Sequence, residues 1–310
     1  MGTSRRVTLN DVAAASGVSR ATVSFVLNDD PRQTISAATR DRVRQAAHDL
    51  GYVPHGVARA LREGTSRVVV LTIEPGLEGH YSRSYIDGLD TELAAHAHVL
   101  LVRHGHDSPH TTRQVLDTIT PRAVIRFAET YLTGHGLDDL GGGWHDGLAA
   151  HTALQLSHLA EHGHTHTALA LPDTSPPLAT TRLTYATQAA HTLNIPTPHP
   201  LTIPQERTAC AQAVAACLTH HPHITAIAAF NDDTALRVLT ALHDLGRHVP
   251  DDTAVIGFDD NGYGAYTTPA LTTVTIDAHT HGRLSARLAL GLDTTGLHPP
   301  VAHIVPRQSV

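Results

Sequence analysis

Apolar positions recur at helical spacing through the first part of the chain and change rhythm afterwards. Leu9, Val12 and Ala13 share one face behind Thr8, a good N-cap, and Gly17 ends that helix in the turn Ser16-Gly17-Val18. Ser19 is placed to cap a second helix from Arg20 to Leu27, with Val23, Val26 and Leu27 inward. Asn28-Asp29-Asp30-Pro31 is a break, and a third helix is predicted from Ser36 to Leu50, with Val43, Ala46, Ala47 and Leu50 inward and Gly51 as its stop. From Ser66 onward short apolar runs alternate with helical stretches. Strands are predicted at Arg67–Ile73, His98–Arg103, Ala123–Phe127, Thr167–Leu171, Ala226–Phe230 and Ala254–Phe258. Helices between them are predicted at Ser84–Ala95, His151–His162, Ala209–Leu218 and Asp233–Leu245. Such alternation implies parallel, doubly wound sheets, which bind ligands outside the carboxyl ends of their strands.

The length of 310 residues and a hydrophobic fraction of 41% suit about two domains with sizeable cores. Two Cys cannot frame a disulfide scaffold; Cys210 and Cys217 lie on one helical face and read as core. The start MGTSRRVTLND has no signal-peptide character and no long apolar run occurs, so a soluble, cytoplasmic protein without a membrane partner is expected. A net charge of -7 argues against nucleic acid until it is divided along the chain. All 22 basic residues are Arg; nine of them fall in residues 1–64, which carry +3, while residues 65–310 carry -10. Exposed charges more than about 8–10 Å apart are largely screened at physiological salt, so the local sign of the head decides what it attracts.

Helix, Gly-containing turn, helix is a helix-turn-helix pattern whose second helix can enter a DNA major groove. Periodicity alone leaves a ligand-free three-helix bundle equally open. The residues go further. VTLNDVAAASGVSRATVSFVLN, followed by ISAATRDRVRQAAHDLGYVPHGVARALR, closely resembles the DNA-binding head of the lac repressor/gal repressor family over residues 7–62. The resemblance implies that Arg20, Ala21 and Phe25 read base edges. Arg20 can offer a donor pair to guanine; Ala21 and Phe25 can make apolar contacts only. Ser19, Thr22, Ser24 and Asn28 suit phosphate contacts, although each also reads as an ordinary cap or solvated polar group. Residues 54–62, PHGVARALR, resemble the hinge helix of the family, with Leu61 as the minor-groove wedge and Ala58 and Arg62 beside it; a plain linker is the alternative. With few Arg available for phosphates, two heads on a palindromic double-stranded operator are expected, hence a homodimer.

The body is similar to the periplasmic-binding-protein-like core of the same family, most clearly in AIAAFNDDTALRVLTALHDLGRHVPDDTAVIGFDD and YTTPALTTV. The resemblance implies an effector cleft with Asn231, Asp232 and Asp259 after strand ends, Phe258 as an aromatic platform, and Arg182 as a clamp. Tyr81, Ser82 and, to within one residue, Asp146 match the opposite wall. Asp232 also reads as a helix cap and Tyr81 as core packing. Carboxylates and an amide beside an aromatic ring suit a sugar-like or nucleoside-like polyol. Two departures stand out. Leu-Thr-Tyr-Ala follows Arg182 where the family has Gly-Phe, and TYLTGHGLDDLGGGWHD replaces an apolar strand in a shortened first lobe.

The His groups His104/His106, His162/His164/His166, His220/His221/His223 and His279/His281 invite a metal, but enrichment in His runs through the whole body and no Glu or Cys joins them at ligand spacing, so no metal and no cofactor is assigned. No nucleophile elbow or phosphate loop occurs, so no enzyme activity is expected. The sequence reads as an all-α helix-turn-helix head (1–53), a hinge helix and linker (54–65), and an α/β periplasmic-binding-protein-like body (66–310) of two doubly wound parallel-sheet lobes, the first shortened. The function it implies is a sequence-specific transcriptional repressor controlled by a small polar effector. A regulator with a ligand-blind body, or with a metal-sensing His-rich one, is the alternative.

Overall fold

The computed structural model describes residues 7–27, 33–52, 66–73, 77, 79–105, 109–127, 148–173, 176–298 and 301–310. The chain forms two compact units, Met1–Ser66 and Arg67–Val310.

In the first unit α1 spans Leu9–Ser16, α2 Arg20–Leu27 and α3 Ala37–Asp49. The Asp11 carboxylate accepts from both the Thr8 N–H (2.8 Å) and the Thr8 hydroxyl (2.7 Å), closing the start of α1. Gly17, at φ 66°, ends α1 in the left-handed conformation that a side chain would strain. Ser19 Oγ then accepts from the Thr22 N–H at 3.1 Å and starts α2. Val12, Val23, Val26, Val43 and Ala47 form the core of this unit. Arg42 Nε donates to the Ser16 carbonyl at 2.9 Å, fixing α3 against the end of α1. One inward assignment fails: Leu50 is 38% exposed. It sits just past the end of α3, where the left-handed Gly51 (φ 63°) turns the chain, and Tyr52 packs against the core in its place.

The second unit begins with β1 (Val68–Ile73), α4 (His80–Ala95), β2 (Val99–His104), α5 (Pro109–Ile119) and β3 (Ala123–Arg126). It continues with α6 (Leu148–Glu161), β4 (Thr167–Pro172), α7 (Pro176–Leu193), β5 (His199–Ile203), α8 (Arg207–His220), β6 (Ala226–Ala229), α9 (Asp232–Asp244) and β7 (Ala254–Ile256). A 3-10 turn at Tyr263–Tyr266, β8 (Thr273–Thr275), α10 (Ala278–Leu290) and β9 (His303–Val305) complete it. Every expected strand and helix of the body is present, with ends shifted by a few residues. Unforeseen are α5, α7, α10, β5, β8 and β9.

Two parallel sheets form two lobes. The first has the order β2-β1-β3, the second β5-β4-β6-β7; β8 and β9 pair antiparallel. Side chains alternate across the second sheet: Ala168, Ala170, Ile227, Ala229 and Val255 face α8 and α9, while Leu169, Leu171, Ala226, Ala228, Ala254 and Ile256 face α6 and α7. Both faces of β4, β6 and β7 are covered, so these strands are apolar apart from Thr167, whereas the edge strand β5 carries His199 and Thr202. The first sheet, with Val69, Leu71 and Ile73, packs on α4 and on α10, which returns from the far end of the chain. Asp277 caps α10 by accepting from the Thr280 N–H at 2.9 Å, and Arg122 beside β3 donates to the Leu290 carbonyl at 3.2 Å. The crossing of α4 and α10 is built for close approach. A Cβ at Gly88 would lie 1.9 Å from the His279 carbonyl oxygen, and one at Gly282 would lie 2.0 Å from that of Tyr85. Glu92, 4% exposed, accepts from Arg283 Nε (2.8 Å) and Arg287 Nε (2.6 Å) on the same interface. The expected shortening of the first lobe falls in residues 128–147, outside the described residues.

Candidate functional site

In the first unit the buried Val23 and Val26 fix which side of α2 faces out. Ser19, Arg20 and Ala21 are exposed at its start, and Thr22, Ser24 and Phe25 are half-buried beside them. Arg20, Ala21, Ser24 and Phe25 therefore lie on the side of α2 opposite its buried valines. Ser19 and Thr22 place their hydroxyls 2.9 Å apart, each already engaged at the start of the helix. Asn28, Ala58, Leu61 and Arg62 lie outside the described residues.

In the second unit a cleft opens between the lobes. Leu77, Gly79, Tyr81, Ser82 and Phe127 line it from the first lobe, and Leu148, Leu178, Arg182, Phe230, Asn231, Phe258 and Asp259 from the second. The structure thus brings six expected residues together: Tyr81, Ser82, Arg182, Asn231, Phe258 and Asp259. Asp146 lies outside the described residues.

Asp232 is a correction. Its side chain is fully buried, does not line the cleft and is consumed by the protein: Oδ1 accepts from the Phe258 N–H (2.8 Å) and the Thr273 hydroxyl (2.6 Å), Oδ2 from the Asn261 N–H (2.9 Å). It holds the turn after β7 in place. Burial pushes its carboxyl up to about 6, against the hydrogen bonds from Thr273, Asn261 and Phe258. The expected cap of α9 is instead its neighbour Asn231, whose Oδ1 accepts from the Thr234 N–H at 2.9 Å.

That turn delivers Asp259. Its backbone takes φ 88°, a conformation non-Gly residues rarely adopt, and Asp260 follows at φ 44°. Asp259 is 8% exposed, and its Oδ1 is buried with no hydrogen-bond partner among the described residues. Burial, with the negative charges of Asp232 and Asp233 nearby, pushes its carboxyl well above the usual range, although the backbone N–H groups of Asp232 and Tyr81 favour the charged form. Tyr81 belongs to the opposite lobe. At the rim His80, also of the first lobe, is held below the ordinary His value by burial and by Arg83, while Asp260 and Asp233 act in the other direction.

Tyr81 and Ser82 are both engaged. The Tyr81 hydroxyl lies 2.7 Å from His281 Nδ1, and its ring is tilted at 6.0 Å from Phe127. Ser82 Oγ accepts from the Gly79 N–H at 2.9 Å, closing the first turn of α4. Arg182 is 1% exposed. Its guanidinium lies 3.9 Å over the Phe258 ring; Nη1 donates to Thr152 Oγ1, and Nη2 to Gln155 Oε1 (2.9 Å) and the Ala229 carbonyl (3.3 Å). Gln155 Nε2 in turn donates to the carbonyls of Ala229 and Gly257, both at 2.9 Å. Neither Thr152 nor Gln155 was foreseen. Nothing in a helical stretch marks a polar residue whose partners lie on distant strands.

Among the described residues no three His, Cys, Asp or Glu side chains sit together as a metal site would require. Imidazoles do meet in tilted pairs, His199 with His221 at 3.9 Å and His158 with His162 at 4.2 Å between ring centres. Nor, among the described residues, is any helix long and apolar enough to cross a membrane.

Residues 8–55 match the family described as "Bacterial regulatory proteins, lacI family", and residues 156–310 match the "Periplasmic binding protein-like domain". The HTH-type transcriptional regulator GalR of Salmonella typhimurium is 26% identical over 328 residues, spanning 96% of this chain and 92% of that protein. Among solved structures, the lac repressor dimer bound to operator and the anti-inducer ONPF superposes with a TM-score of 0.77 at 22% identity, covering 98% of this chain and 99% of that one. A transcriptional regulator CelR–cellobiose complex superposes with a TM-score of 0.61 at 23% identity, covering 98% of this chain and 100% of that one.

Proposed function

The chain belongs to the lacI family of bacterial regulatory proteins and is a DNA-binding transcriptional regulator, and from that premise we propose that it is a repressor released from or recruited to a palindromic operator by a sugar-type effector. The observation that carries the effector reading is Asp259: a strained backbone holds a buried carboxyl in an interlobe cleft with one oxygen left for a ligand. Such a position costs stability and persists where a bound group repays it. The cleft has aromatic walls and a few polar groups, as small-molecule sites do, and the cellobiose held by a structural neighbour supports a sugar as the class.

Binding across both lobes stabilises the closed body. A homodimer presents two heads, and closure of two bodies changes the spacing of residues 54–62 that connect them to DNA. The effector thereby biases operator affinity through its differential affinity for the two states. Arg20 reads a guanine, Ala21 and Phe25 touch thymine methyls or other apolar edges, and Ser19, Thr22, Ser24 and Asn28 position the head on phosphates. Leu61, flanked by Ala58 and Arg62, wedges the minor groove at the centre.

Selection of bound sequences from a random DNA pool tests this reading. A palindrome with a flexible central step is expected. Enrichment of a single unrepeated half-site, or of no sequence, refutes the dimeric head and its wedge. Loss of the palindrome-specific affinity in Leu61→Ala, with random-DNA affinity retained, is the matching result for the hinge.

A further inference from the structure

Arg182 stands in the wall of the cleft, yet both protons of its Nη2 are engaged inside the second lobe. A guanidinium grips a carboxylate or phosphate through one of two forks, Nη1 with Nη2 or Nε with Nη2. Nη2 belongs to both. Here its two protons go to Gln155 Oε1 at 2.9 Å and to the Ala229 carbonyl at 3.3 Å, and Phe258 covers one face of the plane at 3.9 Å. Gln155 cannot swing away, because its own amide is anchored to the carbonyls of Ala229 and Gly257 at the ends of β6 and β7 and the residue is fully buried. The acidic group that fronts the ligand is Asp259.

We propose that Gln155 is the specificity-determining residue of the cleft: it takes one Nη2 proton of Arg182 while the Ala229 carbonyl takes the other, so that neither fork is free and the site takes neutral polyhydroxylated ligands and rejects their phosphorylated or carboxylated counterparts. This rests on the reading of the cleft as an effector site. It assigns Gln155 a positioning role through Arg182. Thr152, which holds only Nη1, leaves Nη2 engaged when it is removed, and so does not set this selectivity.

The test is calorimetric titration of the full-length protein with D-glucose, D-galactose, D-ribose and cellobiose, and with the phosphate monoester of each monosaccharide. The wild type binds at least one neutral sugar, and no phosphate ester within about tenfold of its affinity. Gln155→Met, similar in volume but without an acceptor for Nη2, narrows that ratio by about tenfold or more, while Thr152→Val leaves it unchanged. A merely structural role of Gln155 would weaken both ligand classes alike and overturns the proposal. So does a wild-type protein that binds a phosphate ester as tightly as its parent sugar, a result that leaves the cleft itself in place as an effector site. Absence of binding by every compound overturns both. Should Gln155→Met not fold, Gln155→Leu is the second variant and is expected to narrow the ratio likewise; an unchanged ratio in a folded variant overturns the proposal.

Discussion

Replacing Gly282 with Ala puts two effects of opposite sign against each other at one position. In an exposed helix the change stabilises by about 1 kcal/mol, because Ala has less conformational freedom to lose. In α10 the new Cβ would stand 2.0 Å from the Tyr85 carbonyl oxygen and 2.7 Å from the Leu89 nitrogen. Both are backbone atoms of α4 and cannot rotate aside. Relief requires the helices to part by roughly 1 Å, and a gap of that size forfeits a quarter to a half of each contact it opens. The contacts at stake join Tyr85, Leu89 and Leu93 of α4 to Ala286 and Leu290 of α10. Overpacking of this kind costs about 1–3 kcal/mol, occasionally more. Steric strain therefore wins, and a net loss of about 2 kcal/mol lowers the melting midpoint of a unit this size by roughly 4–8 °C. Differential scanning calorimetry of the full chain separates the body transition from that of the head. A body midpoint equal to or above the wild-type value would mean that the α4–α10 crossing is loose, and would refute the reasoning.

Asp232→Asn alters the pH profile in a defined direction. The folded-state value of about 6 lies above the ordinary 3.8, so Asp232 contributes stability that is complete below the lower value and lost as pH rises through the upper one. The variant should be less stable overall, by about 1–3 kcal/mol for the unmade hydrogen bonds, and should lack this fall in urea titrations across the window; an unchanged slope would sink the assignment. Glu92 has the opposite sign. Burial alone would raise its carboxyl, but hydrogen bonds and charge from Arg287 and Arg283 hold it below the usual 4.5, so its contribution is present above that value and lost as pH falls. Glu92→Gln is expected to cost about 1.5–3 kcal/mol near pH 7 and progressively less in acid; a pH-independent cost would contradict the ion pairs. Arg20→Ala should lose about 1–3 kcal/mol of operator binding and relax preference at one position in each half-site. A uniform loss across all sequences, measured by gel shift, would move Arg20 to the phosphates.

The head was legible because its signals are local. Thr8, Gly17, Ser19 and Ser36 are caps or turns whose partners lie within a few residues. Leu50 misled because its inward spacing ended one residue too soon. In the body the fully apolar strands read clearly, as doubly covered parallel strands should. The missed elements carry disruptive residues in tolerated places. Pro200 sits in β5, an edge strand where a missing N–H costs little. Two prolines open α7, where the first N–H groups have no helical partner anyway. Gly282 and two His disguise α10. In the cleft, position after a strand end identified Asp259 and Asn231 but could not separate Asn231 from Asp232. Which of two adjacent polar side chains caps a helix and which is buried depends on Phe258, Asn261 and Thr273, all more than one element away. Thr152 and Gln155 were illegible for the same reason.

The return of α10 to the first lobe also dictates an order of events during synthesis. The head is contiguous in sequence, so it can fold without waiting for the body. The first lobe cannot: β1, β2, β3 and α4 remain without one wall of their core until α10 has been translated, after the strands of the second lobe. A chain arrested anywhere between β3 and α10 would thus carry a competent DNA reader on an unfinished sensor. Any operator binding by such a fragment would be deaf to the effector, and its uncovered apolar face would mark it for aggregation or proteolysis.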